Sequence, residues 1–374
     1  MKIGIDIRPL QARHYGGISE YINNLLPELF KAGAKHQFAL FTSSFREPFF
    51  NYSELLKHKN VEVKSYKIPN KILFFSSRFF NFPKVDKLLG GIDVLFCPHF
   101  FPVSVSKKCK KITTFHDISF DIFPEFFNLK QRLWHKLVFP KRQAKNSDII
   151  ISVSHSTKQD LIKYYKLSAD KIRVVYSGVN KKLLDQKIQT SISLPKKYIL
   201  TLSLMGPRKN TLGLIRAFDV LKKNKEFTEL YLLVAGGFDK FYKSKMKREI
   251  KKSPYRDKII LLGQIKEEQK SVLYKNAQLF VYPSLYEGFG FPPLEAMYCG
   301  VPTVVSHNTS LPEVTGGATL LVDPYRPRLI AEAMEEILQD ARLYNDLLIR
   351  GRKQAEEFDW RKTAQETLNI LEIF

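Results

Sequence analysis

Two kinds of hydrophobic pattern alternate along nearly the whole chain. Short runs of β-branched and aromatic residues are separated by longer stretches whose apolar positions recur at helical spacing. Strands that are apolar on both faces and separated by helices predict parallel sheets covered by helices on both sides. In the first half we expect strands at Lys2–Ile7, Gln37–Thr42, Val94–Cys97, Lys111–Phe115, Asp148–Val153 and Ile172–Tyr176.

The alternation stops once and then resumes, which predicts two domains. Residues Asn180–Lys197 are polar and lack a strong period. A linker is therefore expected at 181–197, between an N-terminal domain of residues 1–180 and a C-terminal domain of residues 198–357. The later strands are expected at Tyr198–Ser203, Leu230–Ala235, Lys258–Leu262, Leu279–Tyr282, Thr303–Ser306 and Thr319–Val322.

Amphipathic stretches lie between these strands. Helices are expected at Ile18–Phe30, Ser154–Lys166, Thr211–Lys223, Lys266–Lys275, Pro293–Cys299 and Arg328–Gln339. The last segment, residues 358–374, is expected to form a helix that packs back on the N-terminal domain. The pattern as a whole predicts two doubly wound α/β domains, with a ligand in the cleft between them.

Composition narrows the class of protein. A chain of 374 residues with 44% apolar residues can bury two cores, and no apolar run reaches the length of a membrane-spanning helix. Asp6 and Arg8 interrupt the first apolar run, so no signal peptide is expected and the predicted location is the cytoplasm. Cys97, Cys109 and Cys299 are odd in number and far apart, which predicts buried, reduced thiols.

The net charge of +23 suggests an anionic partner but does not identify its chemical class. Such a field attracts nucleic acids, anionic lipids and phosphorylated ligands. Part of the excess is the basic stretch Lys240–Lys258, expected to be solvated helix surface. The basic residues are scattered, and the sequence has neither an RRM signature nor zinc-finger spacing, so nucleic-acid binding is not favoured.

The segment Tyr282–Val304 is the strongest candidate for a ligand site, because its loop follows a predicted strand and precedes a predicted helix. Gly288 and Gly290 allow the backbone to approach a ligand, and the helix N-terminus that follows suits phosphate. Glu287 and Glu295 could accept hydrogen bonds from sugar hydroxyls. Taken alone, these residues favour a simple turn and a locally paired glutamate, because short glycine motifs occur by chance.

The same segment resembles a known signature. Glu287 and Glu295 have seven residues between them, in a run that reads Glu-Gly-Phe-Gly-Phe-Pro-Pro-Leu-Glu-Ala and continues to Cys-Gly-Val-Pro. This resembles the GT4 family of retaining glycosyltransferases, which have the GT-B fold. Further motifs that fit the family follow the same order over most of the chain: Gly16-Gly17-Ile18, Phe115-His116-Asp117, Gly206-Pro207-Arg208-Lys209-Asn210, Leu311-Pro312-Glu313-Val314 and Leu321-Val322-Asp323-Pro324.

The resemblance implies a donor site for a nucleotide-diphosphate sugar. Arg208 and Lys209 would hold the diphosphate, and they also follow the first strand of the second domain, at the end where doubly wound sheets bind ligands. Glu287 would contact the donor sugar and Glu295 the ribose. The backbone N–H groups of the run Gly288, Phe289, Gly290 and Phe291 would support the leaving group. The chain departs from the family at Ser203, often Gly, and at Gly206, often Glu.

Two further site residues come from the predicted N-terminal domain. His116 follows the strand that ends at Phe115, and the resemblance places the matching histidine beside the donor sugar, where it assists transfer. Asp117 is expected to orient the loop. Gly17 comes just before the helix expected at Ile18–Phe30 and would allow close approach of the diphosphate or the acceptor.

The implied reaction is metal-independent hexosyl transfer to a glycan or lipid-linked acceptor. No Asp-x-Asp motif of the kind that holds a divalent ion occurs in the sequence, so no metal or other cofactor is expected. The pattern is similar to mannosyl- and rhamnosyltransferases of polysaccharide assembly. The alternatives are a nucleotide-sugar epimerase or sugar phosphorylase of the same fold, a sugar-binding module without activity, and a nucleic-acid-binding protein.

Two aromatic and basic segments in the first domain could either contact a membrane or line the core. They are Ile72–Phe82 and Phe120–Lys145, with Phe79, Phe80 and Trp134 near Arg and Lys residues, and Phe126 and Phe127 in the second segment. Such residues could dock on an anionic membrane that carries the acceptor. They could equally line a core with solvated lysine tips.

Overall fold

The computed structural model describes residues 1–11, 16–45, 51–186, 193–238 and 240–374. The chain divides into two compact units. The first unit comprises Met1–Gly178 and Asp359–Phe374, and the second unit comprises Val179–Phe358. Of the linker predicted at 181–197, residues 187–192 lie outside the described residues, and Lys181–Asp185 form a short helix of the second unit.

The first unit contains a seven-stranded parallel sheet with the strand order β3-β2-β1-β4-β5-β6-β7. Its strands are β1 (Lys2–Asp6), β2 (Gln37–Ser43), β3 (Val61–Tyr66), β4 (Val94–Cys97), β5 (Lys110–Phe115), β6 (Ile149–Ser152) and β7 (Ile172–Val174). The hydrophobic pattern predicted all of these except β3. That strand lies at the sheet edge and is half exposed, so its sequence VEVKSY lacks the apolar run of a central strand.

Within the described part of the first unit, seven helices connect these strands. They are α1 (Gly17–Ala32), α2 (Asn70–Phe79), α3 (Val85–Leu88), α4 (Ser119–Ile122), α5 (Leu129–Val138), α6 (Pro140–Lys145) and α7 (His155–Tyr165). Two of them, α1 and α7, were predicted from their apolar spacing. The N-cap of α7 is Ser154, whose Oγ accepts the backbone N–H of Thr157 at 3.0 Å.

The second unit contains a six-stranded parallel sheet with the order β10-β9-β8-β11-β12-β13. Its strands are β8 (Tyr198–Leu202), β9 (Tyr231–Ala235), β10 (Ile259–Gly263), β11 (Leu279–Tyr282), β12 (Thr303–Ser306) and β13 (Leu320–Val322). Its helices are α8 (Lys181–Asp185), α9 (Thr211–Leu221), α10 (Lys240–Lys252), α11 (Lys270–Lys275), α12 (Phe291–Tyr298), α13 (Leu311–Thr315), α14 (Pro327–Gln339) and α15 (Ala341–Glu356).

The last helix, α16 (Trp360–Leu371), returns to the first unit and packs against α1. The Trp360 ring meets the Tyr21 ring edge-on at 5.7 Å between centroids. Gly178 permits the approach of the chain here, since a Cβ at this position would lie 2.3 Å from the backbone nitrogen of Trp360. The C-terminal helix therefore completes the first unit rather than the second, which precedes it in sequence.

The cysteines and the length of the apolar helices can be compared with the predictions from the sequence. All three cysteines are buried free thiols, as predicted. Burial raises the pKa of each of these thiols to about 12, which keeps them protonated at neutral pH. In the described ranges of the chain, no helix combines the length and the apolar character needed to cross a membrane.

Both sheets reverse their strand order at one point. In the first unit β1 lies beside β4, and in the second unit β8 lies beside β11. Successive connections run to one side from β1 and β8, and to the other side from β4 and β11. At such a switch point the loops after the two strands diverge and leave a crevice, which is the usual ligand site of doubly wound sheets.

Candidate active site

The loops that follow β8 and β11 are joined at the switch point of the second unit. The first loop enters a 3₁₀ turn at Pro207–Lys209 before α9 begins. The Arg208 carbonyl accepts the backbone N–H of Leu285 at 2.8 Å and the Ser284 hydroxyl at 3.1 Å. These bonds hold the basic turn against the glutamate-bearing loop, although the two are far apart in sequence.

Glu287 lies at the centre of this junction and is 6% exposed. Its Oε2 accepts a hydrogen bond from the Arg208 guanidinium at 3.0 Å. Its Oε1 accepts from the Lys209 ammonium at 2.5 Å and from the Ser284 hydroxyl at 2.6 Å. Lys209 also donates to the Tyr282 hydroxyl at 2.6 Å. The structure thus brings together three residues that the sequence analysis proposed for one site.

The charges in this cluster fix its protonation. Burial disfavours an ionised Glu287, but the charges of Arg208 and Lys209 outweigh it and lower the pKa of that carboxyl to about 2. Burial and the neighbouring Glu287 charge raise the pKa of Tyr282 well above its ordinary value. At neutral pH the site therefore holds one carboxylate, two cations and a neutral phenol.

This lowered pKa predicts a pH-dependent contribution to folding stability. Because the pKa of Glu287 is lower in the folded than in the unfolded chain, its stabilisation is complete above pH about 4.5 and is lost as pH falls towards 2. The full contribution is about 3 kcal/mol. Urea unfolding of wild type and Glu287→Gln should show a constant difference near neutral pH that narrows below pH about 4.5. A difference that widens on acidification would contradict this assignment.

The turn between β11 and α12 is held tightly. Gly290 has φ +111°, a left-handed conformation that side chains rarely adopt, and a Cβ there would lie 2.8 Å from Leu311 Cδ2. The Ser310 hydroxyl is placed to bridge the carbonyls of Glu287 and Phe289, at 3.0 and 2.7 Å. Helix α12 then begins at Phe291, with Pro292 and Pro293 in its first turn as predicted. Gly288 and Phe289 are buried within this turn, and Phe291 is half-buried.

Glu295 does not join the Glu287 cluster through any contact described in the structure. It is 2% exposed on α12, where Oε1 accepts from the Lys270 ammonium at 3.2 Å and Oε2 accepts from the Tyr274 hydroxyl at 2.7 Å. These partners lie on α11, so Glu295 is not merely paired within its own helix. The sequence analysis missed Lys270 and Tyr274. The signal for them was their i, i+4 spacing in a predicted helix, which puts both on one face.

The remaining predicted site residues lie in the first unit. His116 follows β5, and its Nε2–H donates to the Pro98 carbonyl at 2.8 Å. Burial lowers the pKa of His116, against the effect of this hydrogen bond, so the ring is neutral at pH 7. Asp117 accepts from the Ser119 backbone N–H at 2.9 Å and from its hydroxyl at 2.7 Å, which orders the loop. Gly17 is the exposed first residue of α1.

Family models match both parts of the chain. Residues 15–183 match the model described as Glycosyltransferase Family 4, and residues 184–354 match the model described as Glycosyl transferases group 1. O-antigen chain mannosyltransferase B of Escherichia coli is 31% identical over 271 residues, which cover 71% of this chain and 70% of that protein. The chain belongs to the family 4 glycosyltransferases.

One further relative and one solved structure are similar to this glycosyltransferase. Serotype-specific mannosyltransferase WbdA of Escherichia coli is 33% identical over 234 residues, which cover 59% of this chain but only 28% of that longer protein. The solved structure of sucrose-phosphate synthase from Thermosynechococcus elongatus has a TM-score of 0.77 at 21% identity, covering 99% of this chain and 98% of that one. The second likeness concerns the fold alone and confirms the predicted GT-B class.

The family membership and the mannosyltransferase relatives support a hexosyltransferase. The geometry shows which charged groups meet at the switch point of the second unit. Two cations and a buried carboxylate are in contact there. Arg208 retains a quarter of its side-chain exposure, so its charge is accessible to a ligand. Among the residues that the structure describes, no cluster of three or more His, Cys, Asp or Glu side chains could hold a metal ion.

Proposed function

We propose that this glycosyltransferase transfers a hexosyl group from a nucleotide-diphosphate sugar to a glycan or lipid-linked acceptor, with retention of anomeric configuration. The observation that carries the proposal is the contact of Arg208 and Lys209 with Glu287 at the switch point of the second unit. The two cations suit a diphosphate, and the carboxylate suits sugar hydroxyls.

The leaving diphosphate defines what the cations do. Negative charge grows on its terminal phosphate as the glycosidic bond breaks, and positioned donors aimed at that charge lower the barrier. Arg208 and Lys209 are already held in place by Glu287, so little reorganisation is needed when the charge develops. The leaving phosphate takes the acceptor proton on the same face of the sugar, so no protein nucleophile is required.

The carboxylates and the histidine take supporting roles in this proposal. Glu287 is ionised throughout the physiological range and accepts hydrogen bonds from the donor sugar. Glu295 contacts the ribose, which requires its carboxylate to be shared with Lys270 and Tyr274. His116, a neutral ring whose proton is on Nε2, would assist transfer, as the matching histidine of the family does. Gly17 allows close approach of the substrate.

The relatives favour a mannosyl donor and a role in polysaccharide assembly. The two Escherichia coli relatives described above are mannosyltransferases, and one of them is a mannosyltransferase of O-antigen chains. A rhamnosyl donor is the second candidate. A lipid-linked acceptor would bring the reaction to a membrane face.

We further propose that transfer needs no metal ion. The support is electrostatic: the Arg208 guanidinium and the Lys209 ammonium lie together at Glu287, and two such cations could neutralise a diphosphate without a metal ion. We expect initial rates with and without EDTA to agree, once the protein has been freed of bound metal by dialysis. A strict requirement for added Mn²⁺ or Mg²⁺ would overturn this part.

The test of the function is a donor screen followed by product analysis. Thermal shift with GDP-mannose, dTDP-rhamnose, UDP-glucose and UDP-N-acetylglucosamine should select one donor, and the Arg208→Gln protein should lose the shift. NMR of the product with that donor should show the retained anomer. Conversion of the donor without an acceptor would indicate an epimerase, and dependence on inorganic phosphate would indicate a phosphorylase.

A further inference from the structure

Ten large apolar side chains are exposed on helices α2 and α5 of the first unit and on the residues next to them. We name this region the aromatic–basic surface. It comprises Ile72, Phe75, Phe79, Phe80, Phe82, Leu129, Leu133, Trp134, Leu137 and Phe139. The exposed fractions reach 79% for Phe80 and 80% for Leu129. Contiguous apolar exposure on this scale marks an interaction site in a soluble fold.

Both helices turn an apolar stripe towards solvent. On α5, Leu129, Leu133 and Leu137 recur every four residues and are all exposed, whereas the inward side is occupied by Val138 and the half-buried His135. On α2, Phe75 and Phe79 are exposed on the side opposite to the buried Leu73 and Phe74. An amphipathic helix normally buries such a stripe. Here each helix has one apolar side inside the unit and another outside.

Side-chain contacts join the two helices into one surface. The Phe74 ring of α2 stacks on the Trp134 ring of α5 at 5.0 Å between centroids. The Arg78 guanidinium carbon lies 5.0 Å from the centre of the Phe139 ring and 5.3 Å from that of Phe79. These contacts place α2 next to α5 and put the Arg78 cation within reach of both the Phe79 and the Phe139 ring.

The stretches of sequence that form α2 and α5 carry basic residues and no acidic ones. Residues 67–85 and 126–147 contain ten Lys and Arg residues and no Asp or Glu. On α5, Lys130, Arg132 and Lys136 are exposed beside the leucine stripe. Apolar side chains flanked by cations fit the boundary between the acyl chains and anionic head groups of a bilayer.

We infer that the aromatic–basic surface docks this glycosyltransferase on an anionic phospholipid bilayer. The charge pattern selects this occupant over a second copy of the chain, because pairing two such surfaces would bring like charges together, among them the exposed Lys130, Arg132 and Lys136 of each copy. The core-lining alternative applies to another part of the same segments. Phe74 and Phe120 are buried, and Phe126 and Phe127 are half-buried.

The experiment is flotation of the full chain with vesicles, in the absence of any sugar nucleotide. Wild type should bind vesicles that contain phosphatidylglycerol, bind vesicles of phosphatidylcholine alone far less, and be released at high salt. Since no donor is present, the result is independent of the proposed reaction. Each basic residue near an anionic surface contributes roughly a factor of five to partitioning.

Two variants address the charged and apolar parts separately. The triple variant Lys130→Gln, Arg132→Gln, Lys136→Gln should lower the partition coefficient about 100-fold. The triple variant Leu129→Gln, Leu133→Gln, Leu137→Gln keeps the charge and should lower it at least tenfold, by roughly one buried leucine's transfer energy or more. All six side chains are exposed, so the thermal midpoint should stay near that of wild type.

Matched controls use the second unit. Lys247→Gln, Lys251→Gln, Lys252→Gln removes three exposed cations from α10, and Ile349→Gln removes one exposed apolar side chain from α15. Both controls should float like wild type. Equal loss in the α10 control would show a non-specific effect of net charge and overturn the inference. Wild-type protein that does not bind anionic vesicles would also overturn the inference. The same holds if light scattering shows that the wild type is a dimer and that the leucine variant is a monomer.

Discussion

Replacing Arg208 by Gln is expected to lower kcat for sugar transfer by about 10²–10³-fold, and replacing Lys209 by Met should have a similar effect. Each change removes a positioned cation from the place where the leaving diphosphate gains charge. Arg208→Lys should recover only part of the rate, because an ammonium cannot reproduce the planar fork of a guanidinium.

The measurement is steady-state transfer with the donor selected by the thermal-shift screen. Arg216→Gln is the matched control, since Arg216 lies on α9 of the same unit, is largely exposed and pairs only with Glu249 among its described partners. It should transfer at the wild-type rate. Circular dichroism and thermal midpoints separate lost catalysis from lost folding, because removing either cation also weakens the pairing of the buried Glu287. Folded Arg208→Gln protein with the wild-type kcat would rule out the proposed site.

The Lys270→Met variant is expected to lose about 3–5 kcal/mol of unfolding free energy. The reason is that Glu295 is 2% exposed and would be left with only Tyr274 as a described side-chain partner. Adding Glu295→Gln should recover most of this loss, because the double variant no longer buries an uncompensated carboxylate. Urea denaturation of the two single variants and the double variant gives the coupling energy directly.

The same variants test the role proposed for Glu295. If Glu295 contacts the donor ribose, the stable double variant should still bind the donor more weakly than wild type, with KM raised more than kcat is lowered. Lys275→Met, at the exposed end of the same helix, is the control and should change neither property. A double variant with wild-type KM would show that the Lys270–Glu295 pair has only a structural role.

The secondary structure of the second unit was largely determined by local sequence. All six of its strands were predicted to within two residues, because central parallel strands are apolar on both faces and contrast with the helices between them. The prediction failed at the edge strand β3 and at short helices such as α2 and α5. Strand β3 is half exposed at the sheet edge, and α2 and α5 carry apolar residues on an exposed side as well as on a buried one, so the pattern does not mark a single buried face.

The sequence predicted which residues belong to the candidate site but not which of their side chains contact each other. The motifs named Arg208, Lys209 and Glu287 because their residue types suit phosphate and sugar. The sequence could not show that one carboxylate binds both cations, or that Glu295 pairs instead with Lys270 and Tyr274 on α11. These pairs join residues more than 20 positions apart in sequence, and they follow from which strands and helices become neighbours.

The sequence by itself determined the alternation of strands and helices, the glycosyltransferase family and the chemical types at the site, since each depends on local periodicity or on a short motif. Only the tertiary structure decided which charges meet and which aromatic side chains stay outside. Phe74 and Phe75 are adjacent in sequence, yet one is buried and the other exposed. Side-chain burial depends on what packs against each face of a helix, and that packing involves contacts distant in sequence.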